Sequence, residues 1–145
     1  MATLNPYLFF DGNTEEAFNF YKAAFGTEFD TFQRFGESPM ADSTPDDEKN
    51  LVMHVSLPIG NGITMMGNDR TKSQGPPNEA GNNVHISINA ESEEEGRKLW
   101  NALTEGATVT MPFEKTFWGA LFGMFTDKFG IHWMINYDIP GEKPE

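Results

Sequence analysis

Two short apolar stretches, each followed by a capped amphipathic helix and then by three strand-like runs, constrain this 145-residue chain more than any other feature. Residues 4–10 read as a strand with Pro6 near its start. Asn13 or Thr14 can cap the next segment, and Glu15 and Glu16 favour its first turn through the helix dipole. Ala17, Phe18, Tyr21, Ala24 and Phe25 then recur at helical spacing, and Gly26 ends the helix. Residues 28–35 alternate as a strand. Residues 36–50 read as a loop, with two prolines and the acidic run Asp46-Asp47-Glu48. Residues 51–57 alternate cleanly, Ile59-Gly60-Asn61-Gly62 turns a hairpin, and residues 63–66 return as a strand.

The second half repeats the plan. Residues 83–90 form a strand, Ser92-Glu93-Glu94-Glu95 fits a capping box, and Leu99, Trp100, Ala102 and Leu103 give the helical stripe. Gly106 stops it. A strand over 107–113, interrupted by Pro112, leads to the apolar run 120–126, a turn at Asp127-Lys128-Phe129-Gly130, and a last strand over 131–137. Laying Thr14 on Ser92 matches Tyr7 with His85, and laying Gly62 on Gly130 matches Met66 with Met134. The polar stretch 67–81, with Pro76-Pro77, separates the halves. The expected organisation is a first βαβββ module over residues 1–68, a linker over 69–81, a second module over 82–138 and a tail over 139–145. The expected fold class is α+β.

One helix per module covers one face of a four-stranded sheet, so the more apolar parity of each strand takes the helix. The other parity then lines an open, concave face. In the first module it holds Asn5, Tyr7, Phe9, Val52, His54, Ser56, Thr64 and Met66. In the second it holds His85, Ser87, His132, Met134 and Asn136, while Trp133 and Ile135 face the helix. All three histidines fall in this set. Two such sheets edge to edge would close a cup, apolar with a few polar groups, as ligand sites usually are.

Composition narrows the function classes. Cysteine is absent, which excludes disulfides, thiolate catalysis and cysteine-based metal sites. A net charge of −12 argues against nucleic acid and anionic membrane as partners. No 18-residue apolar run exists, and the N-terminal residues lack a basic region before their apolar ones, so neither a membrane span nor a signal peptide is expected. The expected location is the cytoplasm. Thirteen phenylalanines serve a core, an apolar cup, or both.

The wording NPYLFFDGN…EEAFNFYKAAFG, the run IGNGITMMGND and the closing FWG…FGMFTDKFGIHWMIN resemble the PhnB-like branch of the vicinal-oxygen-chelate superfamily. That superfamily includes glyoxalase I, extradiol dioxygenases and bleomycin-resistance proteins. The resemblance implies a cupped mixed sheet built from two βαβββ modules with helices on the outer face, and a homodimer. It also implies metal ligands on the first and fourth strands of each module, usually His, Gln or Glu. Here those places match Tyr7, Met66, His85 and Met134, of which His85 alone is a good divalent-metal ligand.

Two uses are therefore open to His54, His85 and His132: metal ligation or general-base work, or hydrogen bonding within a ligand pocket. Phe117 and Trp118, on the loop entering the last hairpin, serve either as an aromatic rim over a ligand or as cover for a dimer contact. The leading expectation is a protein that binds a small apolar or aromatic molecule, with the acidic chain favouring a cationic one. The pocket is expected to use Tyr7, Phe9, His54, Met66, His85, Trp118 and Met134, with no cofactor. The alternative is a metal-dependent lyase, isomerase or dioxygenase working through the histidines. A methyltransferase is disfavoured, since no Gly-rich strand-to-helix turn is present to hold a nucleotide-like cofactor.

Overall fold

The computed structural model describes residues 2–142, so the end of the tail read over 139–145 lies outside the described residues. The chain divides into two compact units, with the boundary between Glu79 and Ala80. Each unit is one βαβββ module with the topology expected from the repeat.

In the first unit the strands are β1 (Tyr7–Phe10), β2 (Thr31–Arg34), β3 (Val52–Gly60) and β4 (Ile63–Asp69), with α1 (Thr14–Phe25) after β1. They form a sheet of order β1-β4-β3-β2, in which β1 runs parallel to β4 and the other pairs are antiparallel. Strand parity then sorts the two faces. Val55, Leu57 and Met65 are fully buried on the side that takes α1, against the buried Ala17, Phe18 and Tyr21. Gly67 lies on that same side because the helix leaves no room there: a Cβ would stand 2.6 Å from the Phe18 ring and 2.8 Å from the Leu8 carbonyl oxygen.

Several expected bounds change. Strand β2 is shorter than the run 28–35, and Phe35 opens the first of three short 3₁₀ turns that occupy the loop 36–50. Strand β4 continues through Gly67, Asn68 and Asp69, so Asp69 is not a linker residue. The next residues are also fastened. Arg70 pairs with Asp11 at 3.1 Å, Thr71 is buried, and the Lys72 backbone N–H donates to the buried Glu48 at 2.9 Å. Polar composition suggested a free linker, but here the polar groups are the fastening.

Val52 is a further correction. The β2–β3 register steps from Gln33 opposite His54 to Arg34 opposite Val52, which skips Met53. Such a bulge moves the residues beyond it to the other face. Val52 therefore joins Arg34, whose guanidinium reaches Glu15 of α1 at 2.8 Å, and is buried on the helix side instead of lining the open face.

The second unit contains β5 (Ile86–Asn89), α2 (Glu93–Leu103), β6 (Thr108–Lys115), β7 (Ala120–Thr126) and β8 (His132–Asp138), with sheet order β5-β8-β7-β6. The Ser92 hydroxyl caps α2 by accepting the Glu95 N–H at 3.0 Å. The Glu95 carboxylate returns a bond to Glu91 N–H, one residue before the cap. Trp133 and Ile135 are fully buried, as their parity requires. Trp100 of α2 stacks on Phe113 with centroids 5.5 Å apart and meets Phe125 edge-on at 5.1 Å. That cluster fits only over Gly123, where a Cβ would lie 2.5 Å from the Trp100 ring and 2.9 Å from the Phe113 Cα. Val84, expected in the first strand of this unit, precedes it and is exposed.

Candidate functional site

The open, helix-free face of the first sheet gathers four of the expected site residues. Tyr7 lies beside Met66 in the parallel β1–β4 pair, Met66 lies opposite Ser56, and Gln33 lies opposite His54. The Tyr7 ring packs against Phe9 at 5.1 Å and His54 at 5.9 Å. The Tyr7 hydroxyl is 3.3 Å from His54 Nδ1, within reach of a hydrogen bond. Burial pushes the Tyr7 phenol above the ordinary tyrosine value, because the environment disfavours the phenolate. Tyr7 and Phe9 still keep 39% and 56% of their surface exposed, so the face retains large apolar area for a ligand to cover.

The open face of the second sheet gathers the remaining three. Met134 lies opposite Met124 on β7 and beside Ser87 on β5, and Met111 lies opposite Met124 on β6. Three thioethers thus form one cross-strand row. Trp118, in the tight connection between β6 and β7, meets the Phe122 ring at 5.7 Å. Phe117 meets Trp118 edge-on at 5.0 Å and is almost fully exposed. His85, just before β5, packs against His132 with centroids 5.1 Å apart.

The match of Met66 with Met134 holds in the ladders: Met66 lies opposite Ser56 and Met134 opposite Met124, the same number of residues back in each hairpin. The match of Tyr7 with His85 is the one that shifts. Tyr7 lies beside Met66, whereas the residue beside Met134 is Ser87. His85 precedes β5 and packs against His132 instead.

This raises the question of a metal, which the donor set answers unfavourably. His132 Nε2 is 2.7 Å from the Gly81 carbonyl oxygen, which can only accept, so Nε2 carries a proton; Nδ1 bonds the Thr126 hydroxyl at 2.8 Å. Both ring nitrogens are engaged. His85 Nδ1 is buried without a hydrogen-bond partner. Among the described residues no three His, Cys, Asp or Glu side chains are grouped to hold a metal ion. The neighbours of His85 and His132 on this face are Ser87, Thr126 and Met134, which do not fit Zn, Mn or Mg.

Of the buried carboxylates, Asp69 was expected at the start of the linker and Asp127 in a turn. Asp69 is 2% exposed and accepts bonds from Gly12, Thr14 and Val52. Asp127 accepts from the Phe129 and Ile131 N–H groups and from the Trp133 indole at 2.8 Å. Both organise the units and face away from the open sides. Their signal was an acidic residue at the end of an apolar strand, which also describes an ordinary solvated turn.

Two βαβββ modules, each with an open face of aromatic, thioether and imidazole groups, define a protein of the vicinal-oxygen-chelate type. The chain belongs to the Glyoxalase/Bleomycin resistance protein/Dioxygenase superfamily, whose family model matches residues 3–135. Among curated relatives, the protein YjdN of Escherichia coli K12 is 31% identical over 139 residues, spanning 92% of this chain and 93% of that protein. Among solved structures, the protein PA1353 from Pseudomonas aeruginosa is 39% identical with a TM-score of 0.83, covering 96% of this chain and 99% of that one. A Bacillus cereus structure described as a putative 3-demethylubiquinone-9 3-methyltransferase, PhnB protein, shares the fold with a TM-score of 0.76 at 24% identity, covering 94% and 99% of the two chains. No described helix is long and apolar enough to cross a membrane.

Proposed function

We propose that this chain binds a small apolar or aromatic molecule on the open faces of its sheets, without a conventional divalent-metal centre, and works as a cytoplasmic homodimer. The observation that carries the reading is the first open face. There Tyr7 and Phe9 leave large ring area uncovered beside two groups able to orient a ligand, the Tyr7 hydroxyl and the His54 imidazole. Apolar surface supplies affinity and a few placed polar groups supply orientation, which is the composition of ordinary ligand sites. Met66 and Met134 fit this use, since flexible thioethers adapt to a bound shape. The absence of cysteine supports a reducing compartment.

The competing reading is a metal-dependent lyase, isomerase or dioxygenase. It draws on the adjacent His85 and His132 rings and on the unpartnered His85 Nδ1. Elemental analysis of the purified protein, with calorimetric titration of Zn, Ni, Mn and Fe, separates the two. Sub-stoichiometric metal and weak heats are expected. Stoichiometric tight binding that His85→Ala abolishes would replace the first reading by the second. A thermal-shift screen of small aromatic molecules then tests ligand binding, because a compound that prefers the folded state raises the melting temperature.

A further inference from the structure

We propose that the open face of the second sheet carries a subsite for an organic cation, with Glu114 supplying the charge and Trp118 and Phe122 the apolar cradle. The inference rests on the small-molecule reading above and names the ligand class for one of the two faces.

The constellation originates at Pro112. Lacking an N–H, Pro112 cannot donate to the β6–β7 ladder, and the register slips between Met111 and Glu114. Met111 lies opposite Met124, while Glu114, three residues later, lies opposite Phe122 on the same open face. Without the slip, Glu114 would point the other way. Phe113 instead turns inward and stacks on Trp100 of α2. The bulge thus brings a carboxylate beside an aromatic pair, since the Phe122 ring already touches Trp118. Asn136 lies opposite Phe122 on its other side and donates to Asp138 at 3.2 Å.

Charge sets the specificity. The Glu114 side chain is exposed and makes no hydrogen bond or ion pair with the described residues. Its neighbour Lys115 lies on the opposite parity, opposite Leu121, and is held by Glu142 at 2.6 Å. The residues paired on this face include His132 and Asp138 but no Lys or Arg. On the first sheet, the open-face row of Tyr7, Met66, Ser56 and Thr31 has no carboxylate. A neutral ligand covering Glu114 would strip water from a charge and return nothing. An ammonium group answers the carboxylate and gains from the ring faces as well. An inorganic cation would leave the rings unused, so the fitting ligand is an ammonium or amidinium group on an apolar body.

The test compares 2-phenylethylammonium with 2-phenylethanol, which differ mainly in charge, by calorimetry and Trp fluorescence on the full chain at low salt. The ammonium is expected to bind about tenfold more tightly. Glu114→Gln is expected to remove that preference and leave the affinity for the alcohol unchanged, while Trp118→Leu weakens both. Melting curves establish that each variant is folded. Equal affinity for the two probes, or an ammonium preference that survives Glu114→Gln, overturns the cation inference while leaving small-molecule binding in place. Failure of both probes to bind also overturns it, and the thermal-shift screen then decides the broader reading separately.

Discussion

One oxygen of Asp69, at the end of β4, accepts both the backbone N–H of Thr14 at 3.0 Å and the Thr14 hydroxyl at 2.7 Å. The two residues are 55 positions apart in the sequence. The helix α1 is therefore capped by a carboxylate from β4, the strand paired with β1. Asn13, at the N-cap position, makes no side-chain cap bond. A buried carboxylate at a helix N-terminus is favoured by the dipole and by the orphan N–H groups there. The second Asp69 oxygen accepts the Val52 N–H at 2.9 Å, which ties β3 to the same point.

Asp69→Ala leaves the Gly12, Thr14 and Val52 donors without their acceptor and is expected to cost on the order of 3–5 kcal/mol. Urea denaturation measures it. Thr14→Val tests the hydroxyl alone and is expected to cost less. The double variant is expected to lose less than the sum of the two, since the residues share one network.

Gly123→Ala places a methyl group 2.5 Å from the Trp100 ring and 2.9 Å from the Phe113 Cα. The ring can move, but the Phe113 backbone is fixed in β6. A loss of roughly 1–3 kcal/mol or more is expected. Adding Trp100→Leu should recover part of the melting temperature. Recovery to the wild-type value would show that the backbone clash is unimportant.

The Tyr7 phenol titrates above the ordinary 10.0 because burial disfavours its charged form. The folded chain therefore holds this proton more tightly than the unfolded chain. The resulting stability is complete below pH 10.0 and declines as pH rises through the folded value. Absorbance at the tyrosinate band should contain a late-ionising component from Tyr7. Tyr7→Phe is expected to remove that late component and to flatten the alkaline fall in stability.

His132 bridges the Thr126 hydroxyl and the Gly81 carbonyl oxygen. Nitrogen NMR should find the proton on Nε2 whenever the ring is uncharged. His132→Ala is expected to speed amide exchange around Gly81 while leaving exchange in α2 unchanged. Equal protection around Gly81 in the variant would remove the bridge from the account.

The sequence by itself determined the repeat, both helices, the order of strands and the parity of most of them. Apolar spacing and turn residues are local signals, and Trp133, Ile135, His54 and Met66 took the faces their alternation required. It also placed Tyr7, Phe9, His54 and Met66 on one face, and His85, Trp118 and Met134 among the groups of the other. Tertiary structure decided what depends on register and on distant partners. A bulge moved Val52 to the helix side, the β5–β8 register set Ser87 instead of His85 beside Met134, and a slip at Pro112 turned Glu114 toward Phe122. Each change is a shift of one or two residues, too small to alter the composition of a strand yet enough to exchange its faces. The cap of α1 belongs to the same class: its donors are local, but its acceptor, Asp69, arrives only when β4 has paired with β1.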